Sequence, residues 1–192
     1  MKNMKLKSIL MTMFVLVLLF SFSVQGAEVT AEQPIVVTTC GQSPGALMVH
    51  QLCGQVGLNS EKKDLLEADY LKENDFKTVI ITMGTSGKGM GAAGTDMQEE
   101  AERINGVIEE AKKQGMTIIG AHIEGEARRV DKNDEKSIKT VAPKSDIIIV
   151  RKDSNKDNYF TDLGEEKGIP VHVIDKTLQL TEPLSEIFQV SK

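Results

Sequence analysis

The run Thr78-Val79-Ile80-Ile81-Thr82-Met83, followed by Gly84-Thr85-Ser86-Gly87-Lys88-Gly89-Met90-Gly91-Ala92-Ala93-Gly94-Thr95-Asp96, decides the fold. The first six residues are apolar or β-branched and read as a strand buried on both faces. The next stretch holds five of the sixteen glycines. Ala101, Ile104, Val107, Ile108 and Ala111 then recur at helical spacing, and Gly115 closes that helix. Thr95 with Gln98 three residues on has the spacing of a helix cap. A strand, an open glycine loop and a helix N-terminus in succession present backbone N–H groups to an anion.

The same alternation continues on both sides. Upstream lie a strand at Ile35 to Thr39, the turn Cys40-Gly41-Gln42-Ser43-Pro44-Gly45 and a helix from about Pro44 to Gln55. Ser43 is a natural N-cap and Pro44 suits the first helical position. Leu47, Met48, Leu52 and Val56 form the expected buried stripe, and Gly57 ends the helix. Asn59 to Phe76 reads as either a helix or a short second strand. Downstream, strands are expected at Met116 to His122, Ser145 to Val150 and Ile169 to Ile174. Helices follow at about Asp134 to Val141, before Gly168, and at Pro183 to Phe188. Short apolar strands alternating with helices predict an α/β fold, a three-layer sandwich around a doubly wound, mostly parallel sheet of five or six strands. The flavodoxin-like strand order is the first choice and a Rossmann-like order the second.

Residues 1–26 read as a signal peptide. Lys2, Lys5 and Lys7 precede the apolar run Ile9 to Phe22, and Ser23 to Ala27 supplies small residues for cleavage. The run is short for a bilayer span of ~20 residues. Residues 27–33 form a polar leader, and 34–192 a single domain. Export to the periplasm or cell exterior, with no stable membrane anchor after cleavage, is the expectation. Loss of three lysines takes the formal charge from −5 to −8. An acidic chain of this kind disfavours nucleic-acid binding. Cys40 and Cys53 are the only cysteines. A strand end and the far end of the next helix stand ~15 Å apart, beyond the ~7 Å that a disulfide spans. Two free thiols are expected, Cys53 buried and Cys40 near the loop face.

In a parallel sheet the strand-to-helix loops share the carboxyl edge. Here those loops carry Cys40, Gln42 and Ser43; Thr85, Ser86, Gly87 and Lys88; and Glu124, Arg128 and Arg129. Amide groups, hydroxyls, one lysine and a pair of arginines suit a small anionic molecule. The formal match Gly89-Met90-Gly91-Ala92-Ala93-Gly94 to the dinucleotide fingerprint is set aside, because it begins too far past the strand. Asp153, Asn155 and Asp157 stand at positions 1, 3 and 5 of a calcium loop, with Asn158 at the left-handed bend. Gly164 occupies the place of the bidentate glutamate, which weakens the calcium pattern; no cofactor is predicted, with calcium as the alternative. A hydrolase using Ser43, Cys40 or Asp96 with His122 is the second reading, and a flavin or nucleotide protein the third.

Thr39 through Val49, Met83 through Thr95, Gly120 through Asp131 and Asp153 through Asp157 together resemble an uncharacterised family of exported bacterial α/β proteins, known only as a domain of unknown function. The resemblance implies an exported α/β domain. It carries no substrate and no catalytic residue.

Overall fold

The computed structural model describes residues 29–190; the signal-peptide reading of residues 1–26 lies outside them. The described chain forms one six-stranded, all-parallel sheet. Its strands are β1 (Ile35–Cys40), β2 (Ser60–Lys62), β3 (Thr78–Met83), β4 (Thr117–His122), β5 (Ile147–Arg151) and β6 (Val171–Ile174). Their order is β2-β1-β3-β4-β5-β6, the flavodoxin-like arrangement. Strand order reverses between β1 and β3, which pair in register from Ile35 opposite Thr78 to Cys40 opposite Met83.

Among the described residues seven α-helices flank the sheet: α1 (Gly45–Gln55), α2 (Ala68–Lys72), α3 (Gly87–Ala93), α4 (Met97–Lys113), α5 (Lys132–Val141), α6 (Tyr159–Lys167) and α7 (Thr181–Ile187). The strands alternate between two cores. Val36, Val79, Ile81, Ile118, Ile148 and Val150 point to one, with Ile104, Ile108, Ile138 and Phe160 from α4, α5 and α6. Ile35, Val37, Ile80, Ile119, Ile147 and Ile149 point to the other, with Val49 and Leu52 of α1 and Leu184 and Ile187 of α7. Strands buried on both faces carry no polar alternation, which is why β1 and β3 read as continuous apolar runs.

The structure corrects several local expectations. The glycine stretch is not an open loop: Gly87–Ala93 is helix α3, capped by Ser86, whose Oγ accepts from Gly89 N at 3.0 Å. The cap of α4 is Asp96, not Thr95. Its carboxylate accepts from Gln98 N at 2.7 Å and Glu99 N at 3.0 Å, while Glu99 accepts from Asp96 N at 3.1 Å. A charged carboxylate meets the helix dipole better than a hydroxyl one residue earlier. Ser43 does not cap α1, whose N-cap position is Pro44. The buried face of α1 is Ala46, Val49, Leu52 and Cys53, and Leu47 is exposed. The leader is tied down, with Ala31 buried and its N–H bonded to Ile187 O at 3.0 Å. The uncertain segment contains both a strand, Ser60–Lys62, and a helix, Ala68–Lys72. That strand is polar because it is a partly exposed edge.

Candidate functional site

The loops after β1 and β3 close on each other at the point where strand order reverses. Gly41, Gln42 and Gly84 take positive φ angles of 117°, 56° and 123°. Gln42 and Thr85 form an antiparallel bridge, and Ser86 N donates to Gly41 O at 2.8 Å. A Cβ on Gly89 would stand 2.1 Å from Gln42 O, so α3 packs here only because residue 89 has no side chain. The crevice that such sheets usually offer to a ligand is filled by the chain itself.

Several amide donors of these loops are already met. Gly41 N donates to Glu100 Oε2 at 2.9 Å, and Gln42 Nε2 to the same oxygen at 3.1 Å. Glu100 is fully buried and pairs with Arg103 through contacts at 2.8 and 3.1 Å. Arg103 also donates to Thr39 O and Leu66 O. Thr85 N and Oγ1 donate to Asp134 Oδ1 at 2.8 and 2.6 Å, and Val130 N to Asp134 Oδ2 at 3.0 Å. Gly84 N donates to Ser137 Oγ, whose hydroxyl donates to Cys40 O. Gly45 N, in the first turn of α1, donates to Glu124 Oε1 at 3.1 Å. The two loops, after β1 and after β3, therefore hold three carboxylates, each on a backbone N–H, which is the helix- and loop-terminus anion chemistry satisfied from within.

Glu100, Arg103, Asp134 and Ser137 were not among the residues singled out from the sequence. A signal exists for the two acids. Glu100 heads the stripe Ile104, Val107, Ala111, and Asp134 heads the stripe Ile138, Val141. An acid one turn before an apolar stripe points inward with it.

The charged loop after β4 is an ordered set of pairs. Arg128 Nε donates to Glu124 at 3.2 Å and Nη1 to Thr85 O at 2.7 Å. Arg129 binds Asp157 with two parallel hydrogen bonds, 2.7 and 2.8 Å, and also reaches Glu135 at 3.0 Å and Ser154 O at 2.6 Å. This pairing holds the Asp157 carboxyl below the usual carboxylate range. Arg128 and Arg129 thus face protein carboxylates, not one common open clamp.

His122 is buried, with Nε2 against Arg128 O at 3.1 Å and its ring 5.7 Å from that of Phe160. Burial holds its pKa below the ordinary imidazole value. It forms no hydrogen bond to Ser43, Cys40 or Asp96, and Asp96 is spent on the α4 cap. Cys40, the last residue of β1, lies at the loop edge but is fully buried beneath it, and burial pushes its thiol up to about 12. Cys53 is buried as well, its thiol raised to about 11. Both thiols are free. A buried thiol at such values is no nucleophile near neutrality. Tyr159 stacks edge-on against Phe160 and lies beside Arg129, while Tyr70 packs on Phe76 and Lys63.

Most oxygens of the calcium reading are directed at protein partners, Asp153 Oδ1 excepted. Asp153 pairs with Arg151 at 2.6 Å, and Asp157 with Arg129. Asn155 accepts from Phe160 N and donates to Thr161 Oγ1. Among the described residues no group of three or more His, Cys, Asp or Glu is placed to hold a metal ion. Asn158 does take the expected left-handed conformation, φ 59°.

What remains open at the carboxyl edge is limited. Gly87 and Lys88 are exposed, and Gly87 borders a depression of about 490 Å³ with Met90, Asp96 and Lys136. A second depression of about 320 Å³ lies between the β4 and β5 loops, lined by Arg129, Asp153, Ser154 and Asp157 among others. The Ser43 hydroxyl is buried and has no partner. A larger depression, about 790 Å³, lies at the opposite edge beside Lys112, Lys144 and Lys167 and includes none of the sequence-predicted residues.

Comparison with curated proteins returns no match. Among solved structures, esterase EstA from a Pseudoalteromonas species aligns at 8% identity over 72% of this chain and 76% of its own, with a TM-score of 0.33. A GDSL-like lipase from Bacteroides thetaiotaomicron aligns at 10% identity over 72% and 66%, TM-score 0.37. A flavodoxin from the domain Archaea aligns at 13% identity over 81% and 96%, TM-score 0.34. These likenesses are distant and say nothing of activity here. A family model matches residues 32–188, nearly the whole described domain, and the chain belongs to that family, the domain of unknown function DUF6305.

Proposed function

We propose that this is an exported binding domain that takes a small carboxylate- or phosphate-bearing molecule at the carboxyl edge, beside the N-terminus of α1. One observation carries the reading: at this edge the chain itself places a carboxylate on each of three loop amides, Gly41 N, Gly45 N and Thr85 N. A surface built to hold carboxylates on amides holds exogenous oxyanions by the same chemistry. Of the three internal carboxylates, Glu100 and Asp134 are sealed in the core. Glu124 belongs to the loop after β4; its own side chain is 8% exposed, but its partner Arg128 is nearly one-third exposed. It is the one that an incoming anion displaces, which frees Gly45 N–H and the Arg128 guanidinium for the ligand. Lys88, exposed on α3, adds a positive charge to the approach.

Thermal unfolding in the presence of inorganic phosphate, sulfate and small dicarboxylates tests the reading. Ligand at a hundred times its dissociation constant stabilises by ~2.7 kcal/mol, a clear rise in midpoint. Arg128→Ala and Lys88→Ala are expected to weaken binding, and Glu124→Gln to strengthen it. Unchanged affinity in both cationic variants sinks the assignment. A mature protein that starts at residue 27 in the exported fraction checks the export half of the proposal.

A further inference from the structure

The second depression, between the β4 and β5 loops, has chemistry of the opposite sign. Four carboxylates line it, from Glu126, Glu135, Asp153 and Asp157, against the two cations Arg129 and Lys156. Charge alone does not make a site, because each cation is paired: Arg129 with Asp157 and Glu135, Lys156 with Glu126. The independent observation is at its wall. Ser154 is 2% exposed, lines the depression, and its hydroxyl has no hydrogen-bond partner. Beside it, Asp153 Oδ1 is buried without a partner, although Oδ2 of the same carboxylate holds Arg151. A buried carboxylate oxygen only accepts, so its missing partner is a donor. Arg151 Nε is also unpartnered, but Arg151 does not line the depression.

We propose that this depression binds a primary ammonium group, as carried by a small alkyl amine. The ammonium has three N–H donors and no acceptor. Two of them meet Asp153 Oδ1 and the Ser154 hydroxyl, and the third meets a rim carboxylate, Glu126 or Glu135. The chain already places an ammonium at the rim, that of Lys156 on Glu126. Lys156 is about two-thirds exposed and held by a single surface pair, so it competes weakly and swings away at little cost. The volume, about 320 Å³, suits a molecule of a few heavy atoms. A divalent cation fits less well, since Asp157 spends both oxygens on Arg129 and Asn155 is turned to Phe160 N and Thr161. The site is independent of the anion reading, because Gly45, Glu124 and Arg128 take no part in it.

Calorimetric titration of the purified protein with 1,4-diaminobutane tests this, with 1,4-butanediol and calcium chloride as the comparison probes. Saturable binding of the diamine is expected, weakening as salt is raised. Ser154→Ala and Asp153→Asn are each expected to lower its affinity about tenfold, the value of one charge-assisted hydrogen bond. Lys156→Ala is expected to raise affinity about two- to fivefold by removing the internal competitor; a fold defect cannot imitate that gain. The proposal is overturned if the diamine does not bind, if the diol binds equally well, or if calcium alone gives heat. It is also overturned if Ser154→Ala with an unchanged melting midpoint binds as the parent does.

Discussion

Two regions of the carboxyl edge use similar residues to opposite ends. At the β1–β3 reversal, Glu100 and Asp134 are 0% and 2% exposed, and apart from the two from Arg103 the hydrogen bonds they accept come from neighbouring loops. At the β4–β5 loops the pairs are at the surface: Lys156 and Glu126 are about two-thirds exposed, and Asp157 more than half. In the first region a carboxylate takes the place a ligand has in other sheets of this order, and the loops are locked as a result. In the second the charges lie open, and the polar atoms without partners are at the wall beneath them. Burial, not composition, separates a structural carboxylate from one available for recognition.

The largest way to break the comparison is at Glu100. Glu100→Ala leaves Arg103 buried without its counter-charge and is expected to cost ~3–5 kcal/mol, read as a drop in denaturant midpoint. A near-neutral result would mean that the β1–β3 loops are not held from the core. Asp134→Ala comes next, leaving Thr85 N, Thr85 Oγ1 and Val130 N without their acceptor. About 1–3 kcal/mol of destabilisation is expected for unsatisfied buried donors, with faster hydrogen exchange at Thr85 as the local signature.

A smaller effect appears only with pH. His122 is neutral and buried, with its folded pKa below the ordinary value of 6.5. The unfolded chain therefore binds a proton first as pH falls, so stability present above about pH 6.5 is lost progressively below it. The drop in melting midpoint between pH 7.5 and 5.5 should shrink in His122→Gln; an identical drop would remove His122 as its source. The smallest effect belongs to the surface pair. Glu126→Gln should leave the melting midpoint unchanged, as exposed ion pairs generally do. A clear loss there would erase the contrast between the two regions.

Part of this was legible in the residues themselves. Thr78 to Met83 is the strand it reads as, residue for residue, because a strand buried on both faces must be apolar throughout. The stripe Ala101, Ile104, Val107, Ile108, Ala111 is the buried face of α4. Parallel order followed from the alternation of such strands with helices. The candidate loops were also placed correctly at one edge, since every strand-to-helix turn in a parallel sheet leaves from the same side.

The rest was decided in three dimensions. The glycines after Met83 suggest an open loop, but Gly89 is small because Gln42 O, 47 positions earlier, lies against it. The amides of Gly41, Gly45 and Thr85 read as free donors, and their acceptors come from Glu100, Glu124 and Asp134, between 49 and 79 residues away. Local sequence determines backbone conformation and which face is apolar, because those depend on neighbours three or four residues apart. Which donor meets which carboxylate depends on contacts between distant elements, so only the packed sheet, with its loops gathered at one edge, settled which groups were spent and which remained open.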